Sequence, residues 1–466
     1  MIHKDRIRAL NDRDVPPGDY VLYWMQQSQR AHCNHALEYA IDRANRMGKR
    51  VVVVFGLTDD YPDANLRHYC FMLEGLAETL GALAGRGIKM AVCTGPPDGV
   101  VLSAARRAVM VVCDRGYLRH QRQWRARVAR TAKCPVVRVE GDVIVPVEKA
   151  SDKSEYAARF FRPKVNRLMD AYADDLPESA PKIPSLDIKI PGEDVFDADR
   201  LLNKLTIDTS VGPVTSRFKG GTREGIDLFD QFLSSTITGY QSNRNQPQTD
   251  YVSHMSMYLH FGQISPVYLV RKIKQASGIS LDAKEAYLEE LIVRRELAVN
   301  YVYFNDRYDS FGGLPNWAKD TLNDHVKDTR SFVYGREELE HARTHDAYWN
   351  AAATEMTCTG YMHNYMRMYW VKKIIEWSKS PQEAYQHAIY LNNKYFLDGR
   401  DPNSYAGVSW GFGLHDRPWK ERRVFGKVRY MNAAGLERKC DIKAYVRTVA
   451  RLCKQAIPDG RNGQRS

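Results

Sequence analysis

Long apolar runs are absent: no stretch of the 466 residues approaches the roughly 20 apolar residues that span a bilayer. The start, Met1-Ile2-His3-Lys4-Asp5, has no apolar leader core. There is no CxxC pair, and the eight cysteines are scattered with no histidine at metal-ligand spacing. These absences argue against a membrane span, a disulfide scaffold and a metal module. They lead us to expect reduced thiols in a soluble intracellular protein, cytoplasmic or nuclear. No GxGxxG or Walker-type glycine loop follows a strand-like segment, so no nucleotide is assignable by motif.

Acidic charge is in deficit. Lys and Arg number 68 against 56 Asp and Glu, a formal charge of +12. That surplus favours polyanions, because each cation set against a phosphate releases a condensed counterion. Nucleic acid is the first partner to consider, although an ordinary basic protein has the same balance. With 44% apolar residues the chain can bury a large core, divided among two or three domains.

Residues 1–145 alternate short apolar runs with amphipathic stretches, the pattern of βαβ units. Strands are expected at 20–25, 51–57, 89–93, 109–114 and 135–140, with helices at 34–46, 66–86 and 121–131. The expectation is an α/β domain with a doubly wound parallel sheet, its ligands beyond the carboxyl ends of the strands. Residues 146–222 read as a connector, punctuated by Pro and Gly from about Leu176. Residues 223–456 read as all-α, with helices at 223–233, 266–276, 283–304, 337–344, 360–378, 381–391 and 442–454, and 457–466 as a frayed tail.

Four of eight tryptophans, Trp349, Trp370, Trp377 and Trp410, fall within about sixty residues, and Trp419 follows. Trp370 and Trp377 are seven apart in one helical stretch, so they share a face about 10 Å apart along the axis. Indoles at that spacing can pass an electron, although large core aromatics are the commoner explanation from spacing alone. The run Glu289-Glu290-Leu291-Ile292-Val293-Arg294-Arg295-Glu296 sets acids and bases around an apolar stripe. Glu290 and Arg294 have the i,i+4 spacing of a solvated pair; the alternative is a carboxylate lining a cavity and an arginine meeting phosphate or base. Val252, Ser253, His254, Met255 and Ser256 lead towards Ser265-Pro266, and such hydroxyls and amides can hold phosphate. Ser265-Pro266 is equally a plain helix cap. The segment from Gly413 to Arg422 mixes charge, imidazole and indole in a way that suits nucleic-acid contact.

At these residues the chain resembles a class II cyclobutane pyrimidine dimer photolyase of the photolyase/cryptochrome family. The resemblance is carried by Tyr258-Leu259-His260-Phe261-Gly262-Gln263-Ile264-Ser265, Tyr287 through Leu297, Tyr365-Met366-Arg367-Met368-Tyr369-Trp370, Leu397-Asp398-Gly399-Arg400-Asp401-Pro402-Asn403 and Phe425 through Met431. It implies an antenna-type α/β domain followed by a helical domain holding FAD, active as FADH⁻, with a deazaflavin as the family-based antenna. By the same resemblance Tyr240 and the residues Val252 to Ser256 contact FAD. Arg367 and Asp398 are the ion pair beside the flavin ring, and Asn392 faces flavin N5. Trp370, Trp349 and Trp377 match a photoreduction chain, in that order from flavin to surface. Glu290 corresponds to the acid at the lesion, with Arg244, Arg294 and Trp410 facing lesion or DNA. The implied activity is repair of UV-damaged DNA, by a monomer, through electron donation to a flipped-out dimer.

Two positions depart from the pattern: Arg294 stands where some relatives have tryptophan, and Asn364 where glycine is usual, so that its side chain is expected to tighten or perturb flavin packing. The rival within the fold is a cryptochrome-like photoreceptor without repair activity. A nucleotide-dependent ligase would need HIGH- and KMSKS-like sequences, which are lacking.

Overall fold

The structure, a computed structural model, describes residues 2–456; the tail expected at 457–466 lies outside them. Ile7–Ala9 (β1), Tyr20–Trp24 (β2), Arg50–Leu57 (β3), Lys89–Thr94 (β4), Ala108–Asp114 (β5) and Val136–Val139 (β6) form one sheet in the order β1-β6-β5-β2-β3-β4. Every residue of β2 and β5 is buried, as near-continuous apolar strands must be when helices cover both faces. The covering helices are His35–Met47 (α1), Leu66–Gly85 (α2), Pro97–Ala104 (α3) and Arg119–Thr131 (α4). Asn34 caps α1 by accepting from Ala36 N and Leu37 N, and Gly48 ends it in the left-handed region.

The sheet is not wholly parallel. β1, which the periodicity does not reveal, pairs antiparallel with β6 at the edge. It is three residues long with Arg8 at its middle, and it is held from outside: buried Arg6 donates to the carbonyls of Glu140, Val143, Ile144 and Tyr172. Such an anchor has no signature in strand propensity.

Within 146–222, Ala158–Leu168 (α5) sends Phe161 and Val165 into the core of the helical half. The Pro-rich stretch beyond lies along the α/β part, with Ser185 N donating to Gly87 O and Glu193 N to Val92 O.

The helical half holds Thr222–Gln231 (α6), Pro266–Gln275 (α7), Leu281–Leu288 (α8), Arg295–Phe304 (α9), Asn316–Asp324 (α10), Ala347–Thr359 (α11), Asn364–Trp377 (α12), Pro381–Tyr395 (α13), Pro402–Gly411 (α14) and Ile442–Ala456 (α15), with shorter turns between. Three of these, α10, α11 and α14, depart from the sequence reading, and the helix expected at 337–344 shrinks to Arg336–Glu340. Gly360 does not open a helix. At φ 70° it closes α11, and α12 starts at Asn364 under His363, whose ring accepts from Tyr365 N. Between α8 and α9 the backbone makes one π-helical turn, Glu289–Arg294.

The two halves share cores. Tyr117 and Leu118 of the α/β part belong to the same buried cluster as Ala298, Trp349 and Trp370, and Phe71 packs on Tyr258 and Phe261. Gly262 is a close approach: a Cβ there would lie 1.9 Å from the Gln27 carbonyl oxygen. Arg30, ion-paired with Asp142 at 2.9 Å, also donates to Gly262 O.

Candidate cofactor and lesion site

α2 of the first half sets the position of the site in the second. Arg67 donates to the carbonyls of Met356 and Thr357 near the end of α11 and to Tyr395 O at the end of α13. A cation suits these unsatisfied helix-terminal carbonyls. His68 accepts from Asn65 N at Nδ1 and so donates from Nε2 to Phe396 O, 3.1 Å away. Burial holds this imidazole well below its ordinary pKa, hence neutral. The turn after α13 is thereby pinned from outside. Gly399 completes it, since a Cβ would meet Asn392 O at 2.8 Å and Phe396 O at 2.9 Å.

On that turn Asp398 meets Arg367 of α12, with Nη2 3.0 Å from Oδ1 and 3.1 Å from Oδ2. The guanidinium also donates to Met362 O and lies 3.9 Å from the centre of the Phe396 ring. Asn392 is buried nearby: Nδ2 donates to Asn393 Oδ1 and Ser404 Oγ, while Ser404 donates to Asp398 O. Ser404 rests on α14, capped by Asp401 with Pro402 at its first position. That cap was a readable signal for the helix.

Phe396 leads to the tryptophans. Its ring lies 6.2 Å from Trp370, which stacks on Trp349 at 6.4 Å and 9°, and Trp349 meets Trp377 edge-on at 5.6 Å. Trp349, on α11, therefore stands between the two indoles of α12. Trp349 Nε1 donates to Trp370 O, and Asp346 caps α11 through Tyr348 N and Trp349 N. Trp377, expected at the surface, is 2% exposed. Tyr334 and His345 cover it at 5.4 and 5.2 Å, and Phe332, stacked on His345, is exposed. Residues distant in sequence lay this cover, so spacing within α12 does not disclose it.

The segment Val252 to Ser256 lies across from this. Ser253 Oγ accepts from Tyr287 OH at 2.9 Å, and Tyr287 packs on Tyr240. His254, at φ 54°, bonds Asp250 through Nε2, 2.6 Å away, and its ring meets Tyr361 at 4.8 Å. Met255 is buried, Val252 half-buried and Ser256 exposed at the start of a five-residue helix. Sequence reasoning passes over Tyr361, His363, Phe396 and Ser404, which join the expected residues.

Glu290 pairs with Arg244 at 2.6 Å and not with Arg294. The π-helical turn moves each residue round by one position, so Arg294 faces Glu289, at 3.2 Å, and Arg162 takes the same carboxylate at 2.7 Å. Arg244 lies over Tyr240 at 6.0 Å, which joins this pair to the Tyr287 cluster. Trp410 is half-buried at the end of α14, where buried Lys372 donates to Gly411 O. Trp419 is exposed between Arg417 and Arg429, at 5.2 and 5.1 Å. Asn364 is exposed, so its side chain points away from the interior it was expected to tighten.

A model of the family described as DNA photolyase matches residues 21–182. The deoxyribodipyrimidine photo-lyase of Methanothermobacter thermautotrophicus is 49% identical over 447 residues, 96% of this chain and 98% of that one. The chain belongs to the DNA photolyase family. The photo-lyase of Oryza sativa subsp. japonica is 39% identical, over 97% of this chain and 91% of its own. Two solved structures share the photolyase fold. One is a class III photolyase from Agrobacterium tumefaciens (TM-score 0.71, 17% identity, 94% and 87% covered), the other a Synechocystis cryptochrome (TM-score 0.68, 15%, 96% and 90%).

The family implies FAD, and the residues fit it. Buried His254 Nδ1, His363 Nε2 and Gln248 Oε1 have no hydrogen-bond partner within the chain. Polar atoms so placed call for a polar ligand. Among the described residues, no group of three His, Cys, Asp or Glu is placed to hold a metal ion, and no helix is long and apolar enough to cross a membrane.

Proposed function

We propose that the chain repairs cyclobutane pyrimidine dimers in UV-damaged DNA by light-driven electron transfer, as a monomer inside the cell where that DNA is. The observation that carries this reading is the unbroken contact series from Asp398 through Arg367, Phe396, Trp370 and Trp349 to Trp377. Full-length similarity to two deoxyribodipyrimidine photo-lyases supports it. The domain division 1–145, 146–222 and 223–456 goes with it.

In this reading Tyr240, Val252, Ser253, His254, Met255, Ser256, Arg367, Asn392 and Asp398 hold FAD. When bound and reduced, FAD supplies a light-excited electron. Arg367 balances charge at the ring and Asp398 fixes the guanidinium. The Asn392 amide, held by Asn393 and Ser404, presents a fixed dipole. Trp370, Trp349 and Trp377 pass electrons inward, and their burial keeps solvent from the path. At the DNA side Glu290, with Arg244 beside it, offers a carboxylate to the polar edge of a flipped-out dimer, while Arg294 and Trp410 grip phosphate and stack.

A second cavity, at the carboxyl ends of β2 and β3, is lined by Gln26, Phe55, Tyr61, Met72, Gln121 and His260 among others. Its place beyond the strand ends is where an antenna of the deazaflavin type would sit, and no step is assigned to it.

The test is repair of DNA bearing cyclobutane dimers or (6-4) lesions, in parallel, under near-ultraviolet light and in the dark. The expected outcome is bound flavin and light-dependent repair of cyclobutane dimers only. Flavin without repair would make the chain a photoreceptor, and no flavin absorbance would end the reading.

A further inference from the structure

Where the sheet edge meets α4 and α9, a cleft of about 690 Å³ opens, apart from every residue assigned above. Seven arginines line it, against one acid, Asp12. The side chains of Arg115 and Arg125 on its floor are 3% and 4% exposed, and that of Arg138 is 16% exposed. Arg125 is engaged by Asp114 at 2.5 Å. Arg115 gives one nitrogen to Glu140 at 2.8 Å, but its buried Nε has no hydrogen-bond partner. A single carboxylate, Glu148, serves Arg8 at 3.0 Å, Arg115 at 3.2 Å and Arg138 at 3.7 Å. Burial, and then repulsion from Arg115, hold Arg138 below its ordinary pKa. At the rim, exposed Arg13 and Arg130 have no ion pair among the described residues.

Cations at this density repel one another unless an anion joins them. Planar guanidinium forks converging on one space match phosphate oxygens in bidentate fashion. The one aromatic ring in the lining, Tyr303, has Arg115 at 4.6 Å and Arg122 at 5.1 Å from its centre, so cations compete with any base for it. The floor guanidiniums of Arg115 and Arg125, 3% and 4% exposed, favour a small anion over a duplex backbone.

We propose that this cleft binds a compact polyphosphate through its phosphate oxygens, either free or as the phosphate arm of a nucleotide, without reading the base. The volume lies within the range of small-molecule sites. The site is independent of the repair reading.

Calorimetric titration of the full chain with tripolyphosphate, ATP and GTP at physiological salt tests it. One saturable site for tripolyphosphate is expected, and any nucleotide that binds should compete for it with an affinity within about threefold of it. The double substitution Arg13→Glu/Arg130→Glu changes only exposed side chains. It should weaken binding by about tenfold or more while leaving the melting temperature and dimer repair unchanged. Arg423→Glu, on an exposed arginine outside the cleft, should leave binding unchanged. Absence of saturable binding, equal weakening by Arg423→Glu, displacement by undamaged duplex DNA, or much tighter binding of one nucleotide than of tripolyphosphate would each overturn the proposal. If tripolyphosphate and nucleotides bind alike, the recognised group is the phosphate chain; if tripolyphosphate alone binds, the source is free polyphosphate.

Discussion

Trp370 and Glu290 belong to the same helical half and are held in different ways. Trp370 is buried among other rings, packed against Trp349 of α11 and Phe396 just beyond α13, and its indole N–H has no partner. Glu290 stands half-exposed on a π-helical turn, and what fixes it is one ion pair with Arg244, the two side chains 36% and 32% exposed. Interior groups have no solvent to fall back on, whereas rim groups trade a partner for water at little cost. Perturbations should therefore rank by depth.

The largest effect should come from Trp370→Phe. Photoreduction of oxidised flavin should slow by about a hundredfold, some 3 kcal/mol of barrier, while pre-reduced protein repairs dimers normally in single-turnover assays. Equal loss of both activities would make the residue structural and blur the distinction between ladder and rim.

Glu355 is the interior's titratable counterpart to Glu290. Burial pushes its carboxyl up to about 7, despite the hydrogen bond from Tyr445. A carboxyl whose folded pKa lies above the ordinary 4.5 contributes stability that is present below pH 4.5 and is lost as the pH rises through 7. The stability of the wild type relative to Glu355→Gln should fall by about 3 kcal/mol between these limits, as urea unfolding across that range would record. A flat difference would mean that Glu355 behaves like a rim residue.

At the rim, Glu290→Gln should change folding stability by less than about 1 kcal/mol and lower the preference for dimer-containing over undamaged DNA about fivefold, measured by competition binding. An effect matching that of Trp370→Phe would break the ranking. The smallest change should come from Asn364→Gly. This residue is exposed at the first turn of α12, so less than about 1 kcal/mol of stability and no change in flavin content are expected.

Much of the α/β half was legible because valine-rich strands buried on both faces leave a continuous apolar record, as β3 and β5 do. Its edge strand β1 was not, being held by Arg6 reaching across 134 or more residues. In the helical half, α11 and α14 carried local signals that were passed over: Asp346 before an alanine-rich run closed by Gly360, and Asp401-Pro402. No local signal foretold that Glu290 would choose Arg244, because the π-helical turn overrides i,i+4 spacing.

The sequence by itself determined which chemistry is present: the indoles, the Arg367 and Asp398 charges, the hydroxyls around Ser253 and the basic surplus, because side-chain type and short-range periodicity are written residue by residue. Tertiary structure alone decided which of these touch. It put Trp349 between Trp370 and Trp377, buried Trp377 beneath Tyr334, joined Asn392 to Ser404 and gathered Arg8, Arg115 and Arg138 around one glutamate. Those contacts join residues between 10 and 140 positions apart. Their energies come from packing and desolvation, which act only once the chain has folded.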